Sequence, residues 1–203
     1  PRKTAFSLRC FAAILLRLLP KTEAHGTPVL GGEHNRIRFQ TVHKSNLAGR
    51  SFCLEVMSIP CPHFKITIVK RSQGQSAVAG AAYQSGERLF SEYDQKTKFY
   101  NKKKELVHAE IMLPSHAPPG YADRATLWNA VEAVENQWNS QLARRIVLAF
   151  PVEVPKEQYL SMIKEFCQEQ FVSKGMIADF AIHDKGDGNP HAHILLTLRA
   201  MDE

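Results

Sequence analysis

The chain changes character near residue 57. From there apolar positions recur with strand and helix periods. In HFKITIVK (63–70), Phe64, Ile66 and Ile68 alternate with polar residues and read as one face of a strand. RSQGQSAVAGAAYQSGERLF opens as a polar loop and becomes a small-residue helix. Ser76 is its N-cap, and Val78, Ala81, Ala82, Ser85 and Leu89 lie along one side. DQKTKFYNKKKE (94–105) reads as a solvated loop or hairpin, and LVHAEIMLP (106–114) as a second strand ended by proline. In the stretch 116–145, Asp123 is a second candidate N-cap. Leu127, Trp128, Val131, Val134, Trp138 and Leu142 form an apolar stripe that predicts a long helix.

RIVLAFPVEVP (145–155) gives a third strand. KEQYLSMIKEFCQEQFVSKG gives a third helix, with Tyr159, Met162, Ile163, Phe166, Cys167 and Phe171 inward and Gly175 at its end. IADFAIH (177–183) and HAHILLTLR (191–199) are two strands joined by DKGDGNP, a loop short enough for a hairpin. The order β-α-β-α-β-α-β-β predicts an α+β domain with a mainly antiparallel sheet and helices packed on it. Residues 1–56 show neither period and many chain breakers. They read as loop or disorder, an atypical extension upstream of a natural start at Met57.

Composition narrows the setting more than the function. A hydrophobic content of 44% and a charged content of 23% are ordinary for a globular protein. A net charge of +6 with a pI near 9.2 is compatible with a polyanionic partner. Cys10, Cys53, Cys61 and Cys167 form no CxxC pair, which argues against a zinc ribbon or a disulfide framework. LRCFAAILLRLL (8–19) resembles the apolar part of a signal peptide, but Arg9 and Arg17 interrupt it and it is too short to span a bilayer. The expected location is cytoplasmic.

The chemistry concentrates in HDKGDGNPHAHILLTL (183–198), which holds three of the nine histidines. Strand alternation puts His191 and His193 on one face, roughly 6.5 to 7 Å apart at Cα. If 177–183 pairs with 191–198, His183 joins them. Three neutral imidazoles suit a divalent ion with positions left for substrate. A histidine pair alone on a strand is more often incidental; the third on the neighbouring strand favours metal.

Lys70 and Arg71, followed by Ser72, Gln73, Gln75 and Ser76, lead into a helix N-terminus. Such a junction can receive phosphate through backbone N–H groups and the helix dipole. Tyr83 follows about two turns later. Taken alone it reads as an ordinary half-buried aromatic, because a phenol with a pKa near 10 is a poor nucleophile without help.

Taken together, SQGQSAVAGAAYQSGERL, VHAEIMLP, LWNAVEAVENQWNSQLAR, LAFPVEVP and AIHDKGDGNPHAHILLTLR resemble, in order and spacing, the MobA/MobL family of plasmid mobilisation relaxases. These belong to the HUH (His-hydrophobic-His) endonucleases, and the resemblance covers about residues 57–203. It implies a relaxase arrangement with ferredoxin-like packing. Tyr83 then stands as the nucleophile that forms a 5′-phosphotyrosine at a transfer origin. His183, His191 and His193 are the ligands of Mn²⁺ or Mg²⁺. The partners implied are single-stranded or hairpin origin DNA, relaxosome accessory proteins and a conjugation coupling protein. A rolling-circle initiator shares the logic but places its tyrosine after the histidines, whereas Tyr83 precedes them.

The candidate DNA contacts are Lys70, Arg71, Ser72, Gln73, Gln75, Ser76, Arg88, Arg144 and Arg145. The lysines Lys96, Lys98, Lys102, Lys103 and Lys104 are either a further backbone track or a solvated loop. A covalent phosphotyrosine conserves the phosphodiester, which fits the lack of a GxxxxGK[ST] loop. Family members often carry acidic residues before the LAFP segment. Here Arg144 and Arg145 stand there, and the nearest carboxylate is Glu153. The chain also stops just after the histidine strand. The alternative expectation is therefore a truncated, catalytically silent domain that still binds origin DNA.

Overall fold

The computed structural model describes residues 63–101, 104–151 and 154–201. The expectations for residues 1–56, the start at Met57, Lys102, Lys103 and Glu153 lie outside the described residues. In chain order the elements are β1 (Phe64–Lys70), α1 (Ala77–Ser85), β2 (Leu89–Ser91), β3 (Lys96–Lys98), β4 (Leu106–Met112), α2 (Arg124–Val134), β5 (Gln141–Ala149), α3 (Tyr159–Gln170), β6 (Ala178–His183) and β7 (His191–Leu196).

Five strands form one sheet in the order β1-β5-β7-β6-β4, and every neighbouring pair is antiparallel. β2 and β3 form a separate small hairpin. The sheet is covered on both faces. β6 is buried at all six positions, and since its side chains alternate, neither face is open to water there. One face packs Ile146, Leu148, Phe180, Ile182 and Ile194 against Met162, Ile163, Phe166 and Phe171 of the α3 region. The other packs Val69, Ala143 and Leu195 against Ala77, Val78, Ala81 and Ala82 of α1 and Leu127 and Trp128 of α2. α1 is built almost entirely of small residues, so it can lie close to the strands.

Both expected N-caps form. The Ser76 hydroxyl accepts from Ala79 N–H, and the Asp123 carboxylate accepts from Thr126 N–H. Gly175 ends the α3 region with φ 83°, a left-handed conformation that suits glycine. α1 stops at Gly86 (φ 67°), so Leu89 is buried on β2 rather than on the helix.

The long helix across 116–145 is corrected. α2 ends at Val134, and β5 has already begun at Gln141. Leu142 is buried as a strand residue, whereas Val134 and Trp138 are exposed, Trp138 at 73%. The stop is tertiary in origin. The buried Arg71 guanidinium donates to the carbonyl oxygens of Glu132 (2.9 Å) and Glu135 (3.0 Å), satisfying the helix's last acceptors.

Candidate active site

β7 is the middle strand, and β6 pairs with it so that His183 lies directly opposite His191 and Ala181 opposite His193. All three imidazoles therefore share one sheet face. Each offers one nitrogen, and the three lie within 4.8 Å of one another. Ring centroids are separated by 4.8 Å (His183–His193), 5.0 Å (His191–His193) and 5.7 Å (His183–His191).

The connecting loop keeps the pair in register. Asp184 Oδ1 accepts from Gly186 N–H (2.8 Å), and Asp187 Oδ1 accepts from Asn189 N–H (3.1 Å). Gly186 and Gly188 take positive φ of 75° and 81°, which bends the chain back between the strands.

Two of the rings are oriented by backbone carbonyls. His183 Nε2 lies 2.7 Å from Gln84 O, and His191 Nδ1 lies 2.9 Å from Asn189 O. A carbonyl oxygen can only accept, so both nitrogens are the protonated ones. The lone pair for an ion is then on Nδ1 of His183 and on Nε2 of His191. This arrangement fixes tautomer and ring direction as metal sites require. Three neutral nitrogen donors, one buried and two half-buried, fit a divalent ion.

α1 brings Tyr83 to the same place. Its ring meets His193 edge-on at 5.9 Å between centroids and Tyr100 at 5.6 Å. It is 38% exposed, open enough to meet a substrate. The last turn of α1 is pinned from below: Gln84 Nε2 donates to Asp179 O (2.9 Å) while Gln84 O serves His183. The Arg124 Nε–H is shared between both Asp179 carboxylate oxygens at 3.0 Å, and Trp128 Nε1 donates to Oδ2 at 2.9 Å. Burial pushes the Asp179 carboxyl up to about 6, against the pull of Arg124 and Trp128. Arg124 also pairs with Glu87, just past the end of α1.

Arg145 passes beneath α1 at Gly80. A Cβ added to Gly80 would stand 2.6 Å from Arg145 Nη2, so a larger residue there would push the guanidinium aside. Burial pulls the Arg145 guanidinium below its usual range, and the neighbouring phenols of Tyr83 and Tyr100 act against that. A cation, a phenol and three imidazoles are thus gathered around one opening.

Residues 75–203 match the MobA/MobL family. The chain belongs to that family. It is 38% identical over 151 residues to the conjugal transfer protein TraA of Agrobacterium fabrum, a match covering 70% of this chain and 14% of TraA. It is 36% identical to a probable mobilisation protein MobA of Bifidobacterium longum, covering 69% of this chain and 25% of that protein. A solved structure described as the molecular basis of vancomycin resistance transfer in Staphylococcus aureus superposes with a TM-score of 0.65. Identity there is 38%, over 70% of this chain and 73% of that one. The MobA/MobL chain thus spans only about a seventh of the length of its TraA relative.

Not every candidate contact reaches this opening. Lys70 pairs with Gln141 at one end of β5, and His191 with Ala149 at the other. At roughly 3.3 Å per residue, Lys70 is about 25 Å from His191 along the strand, while Ser76 caps the helix that carries Tyr83 and lies about 10 Å from it along that helix. The anion expected there is supplied by the protein itself. Glu132 Oε1 accepts from Ala77 N (2.7 Å), Val78 N (3.1 Å) and Ser76 Oγ (2.8 Å). Arg71 is buried under Tyr93 and bonded to α2, whereas Ser72, Gln73 and Gln75 are exposed.

Arg144 and Arg145 are adjacent on a strand and point to opposite faces, so only Arg145 shares the histidine face. Arg88 lies on the site's flank, its guanidinium 4.7 Å over the Phe99 ring. Sequence reasoning missed Tyr100, Gln84 and Lys65. Lys65 shares its face with Val147 and His193 across two strand pairings, a placement readable only once the order β1-β5-β7 is known.

Proposed function

We propose that this MobA/MobL domain is a metal-dependent DNA relaxase that nicks one strand of origin DNA by tyrosine transesterification. The observation that carries the reading is the convergence of three histidine nitrogens within 4.8 Å beside the ring of Tyr83. A divalent ion held by His183, His191 and His193 would polarise the scissile phosphate as a Lewis acid, and imidazole donors favour Mn²⁺ over Mg²⁺.

Tyr83 Oη forms the new bond to phosphorus as the P–O3′ bond breaks. The phenolic proton is released and the departing 3′ oxygen gains one. The product is a 5′-phosphotyrosine and a free 3′ hydroxyl. Arg145, beside Tyr83, supplies positive charge where the phosphate must sit. The 5′ linkage stays at the energy of a phosphodiester, so the strand can be rejoined by reversal. DNA in the cytoplasm is the substrate of this reading. Among the described residues no helix is long and apolar enough to cross a membrane.

Supercoiled plasmid bearing the transfer origin, incubated with the chain and Mn²⁺, is expected to yield a covalent protein–DNA adduct that Tyr83→Phe does not form. Adduct formation by Tyr83→Phe would refute the assigned nucleophile. His191→Ala is expected to weaken Mn²⁺ binding at least about 100-fold by calorimetry. A second reading, carried by the buried Arg145 guanidinium beside Tyr83, is an origin-binding domain without cleavage. Origin binding with no adduct under any divalent ion would select that one.

A further inference from the structure

A cavity of about 660 Å³ opens beside the site, between the end of α1 and the outer strand β4. We infer that it holds one unpaired nucleobase of the DNA strand leading to Tyr83. The inference rests on the relaxase reading and extends it to a subsite.

Position comes first. Ser85 and Gly86, two and three residues after Tyr83, line the cavity, as does Leu106, which pairs with His183. A row of rings runs from His193 to Tyr83 (5.9 Å) to Tyr100 (5.6 Å), and the next residue back, Phe99, lines the cavity. A strand laid along that row passes directly from the reacting phosphate into the opening.

The lining is mixed, with Ser85, Glu87, Arg88 and His108 as polar members, and its apolar members suit the face of a base. Phe99, Leu106, Val107 and Ala109 are apolar, and Arg88 stacks its guanidinium over Phe99 at 4.7 Å. Phe99 is 44% exposed and Val107 63%, so a planar group can reach both. An aromatic ring paired with a guanidinium plane is a stacking platform that accepts any base face. The volume lies in the range of small-ligand pockets.

Polar edges are provided for as well. β4 is the outermost strand of the sheet, and the register slips between Leu106 and His108, which turns Val107 outward. The outer edge of such a strand carries backbone N–H and C=O groups that can meet a base's edge. A duplex buries its base faces in its own stack, so the cavity suits single-stranded DNA.

The test uses the full 203-residue chain and a fluorescein-labelled oligo(dT) of about twelve nucleotides, with a second copy carrying one 5-iodouracil for photo-cross-linking. Cross-links are expected at Phe99 or within 106–109. Phe99→Ala is expected to weaken oligo(dT) binding about tenfold or more, with Phe99→Trp restoring it. Arg88→Gln, which leaves every buried contact in place, should weaken it as well. Trp138→Ala, an exposed aromatic at the far end of the sheet, should change nothing. Cross-links confined to other residues, with unchanged affinity in Phe99→Ala and Arg88→Gln, would overturn the subsite. If origin DNA then still forms the Tyr83 adduct, the subsite fails alone. If oligo(dT) cross-links at Phe99 but origin DNA forms no adduct, the relaxase reading fails and the subsite stands.

Discussion

The two ends of α1 meet the same physical problem with opposite results. A helix leaves donors unsatisfied at its start and acceptors at its finish. At the start, the Ala77 and Val78 N–H groups and the Ser76 hydroxyl converge on the Glu132 carboxylate from α2. That end is a solved packing joint, and its positive dipole is matched by a charge from within the fold. At the finish, the Gln84 carbonyl accepts from His183, while Tyr83 one residue earlier faces His193. Here an orphan acceptor of the helix orients an imidazole. One element thus spends its first turn on stability and its last on chemistry, and the tertiary partner decides which.

Substitutions at each end should separate the two roles. The largest effect is expected for Tyr83→Phe: no covalent adduct on gel electrophoresis, with a melting temperature indistinguishable from the parent. A shifted melting temperature would mean that the hydroxyl also holds the fold. Next comes the anchor under the chemical end. Arg124→Ala leaves Asp179 buried without its cation and should destabilise the fold by about 3–5 kcal/mol in denaturant titration.

That deficit should depend on pH. The folded Asp179 carboxyl lies near 6, above its ordinary value of 3.8, so the protonated form favours the folded state and ionisation costs stability as pH rises. Without Arg124 the ionised form loses its partner. The deficit should therefore be largest near pH 8 and shrink as pH falls through about 6; a flat profile would contradict it.

At the other end, Glu132→Ala removes a carboxylate accepting three hydrogen bonds and should cost about 3 kcal/mol. The folded fraction should still form adduct at the parent rate. A rate collapse without unfolding would erase the contrast between the ends. Smallest is Ser76→Ala, expected to cost about 1 kcal/mol as a lost N-cap, with adduct formation unchanged.

The parts of this architecture that depend on neighbours in sequence were legible there. Ser76, Asp123 and Gly175 act within a few residues of themselves, and each does what its type and position announce. The histidine face followed from strand alternation and a loop short enough for a hairpin. The stop of α2 was not legible, because the group that caps it, Arg71, is 61 to 64 residues away. Nor was the occupation of the α1 N-terminus by Glu132, a residue in the middle of another helix. Arg144 is different, since alternation alone denies two consecutive strand residues the same face. Gly80 looked like one small residue among several, and its reason, the guanidinium crossing beneath it, comes from β5.

The placement of β7 has a consequence for how the site opens. His191 and His193 sit on the middle strand, bonded to β5 on one side and β6 on the other, whereas Tyr83 sits in the final turn of a nine-residue helix. Hydrogen exchange should reflect that difference. Amides of β7 exchange only when the whole domain opens, while those near Tyr83 exchange through local fraying at much lower free energy. The nucleophile can then shift with its turn of helix while the ligands keep their spacing.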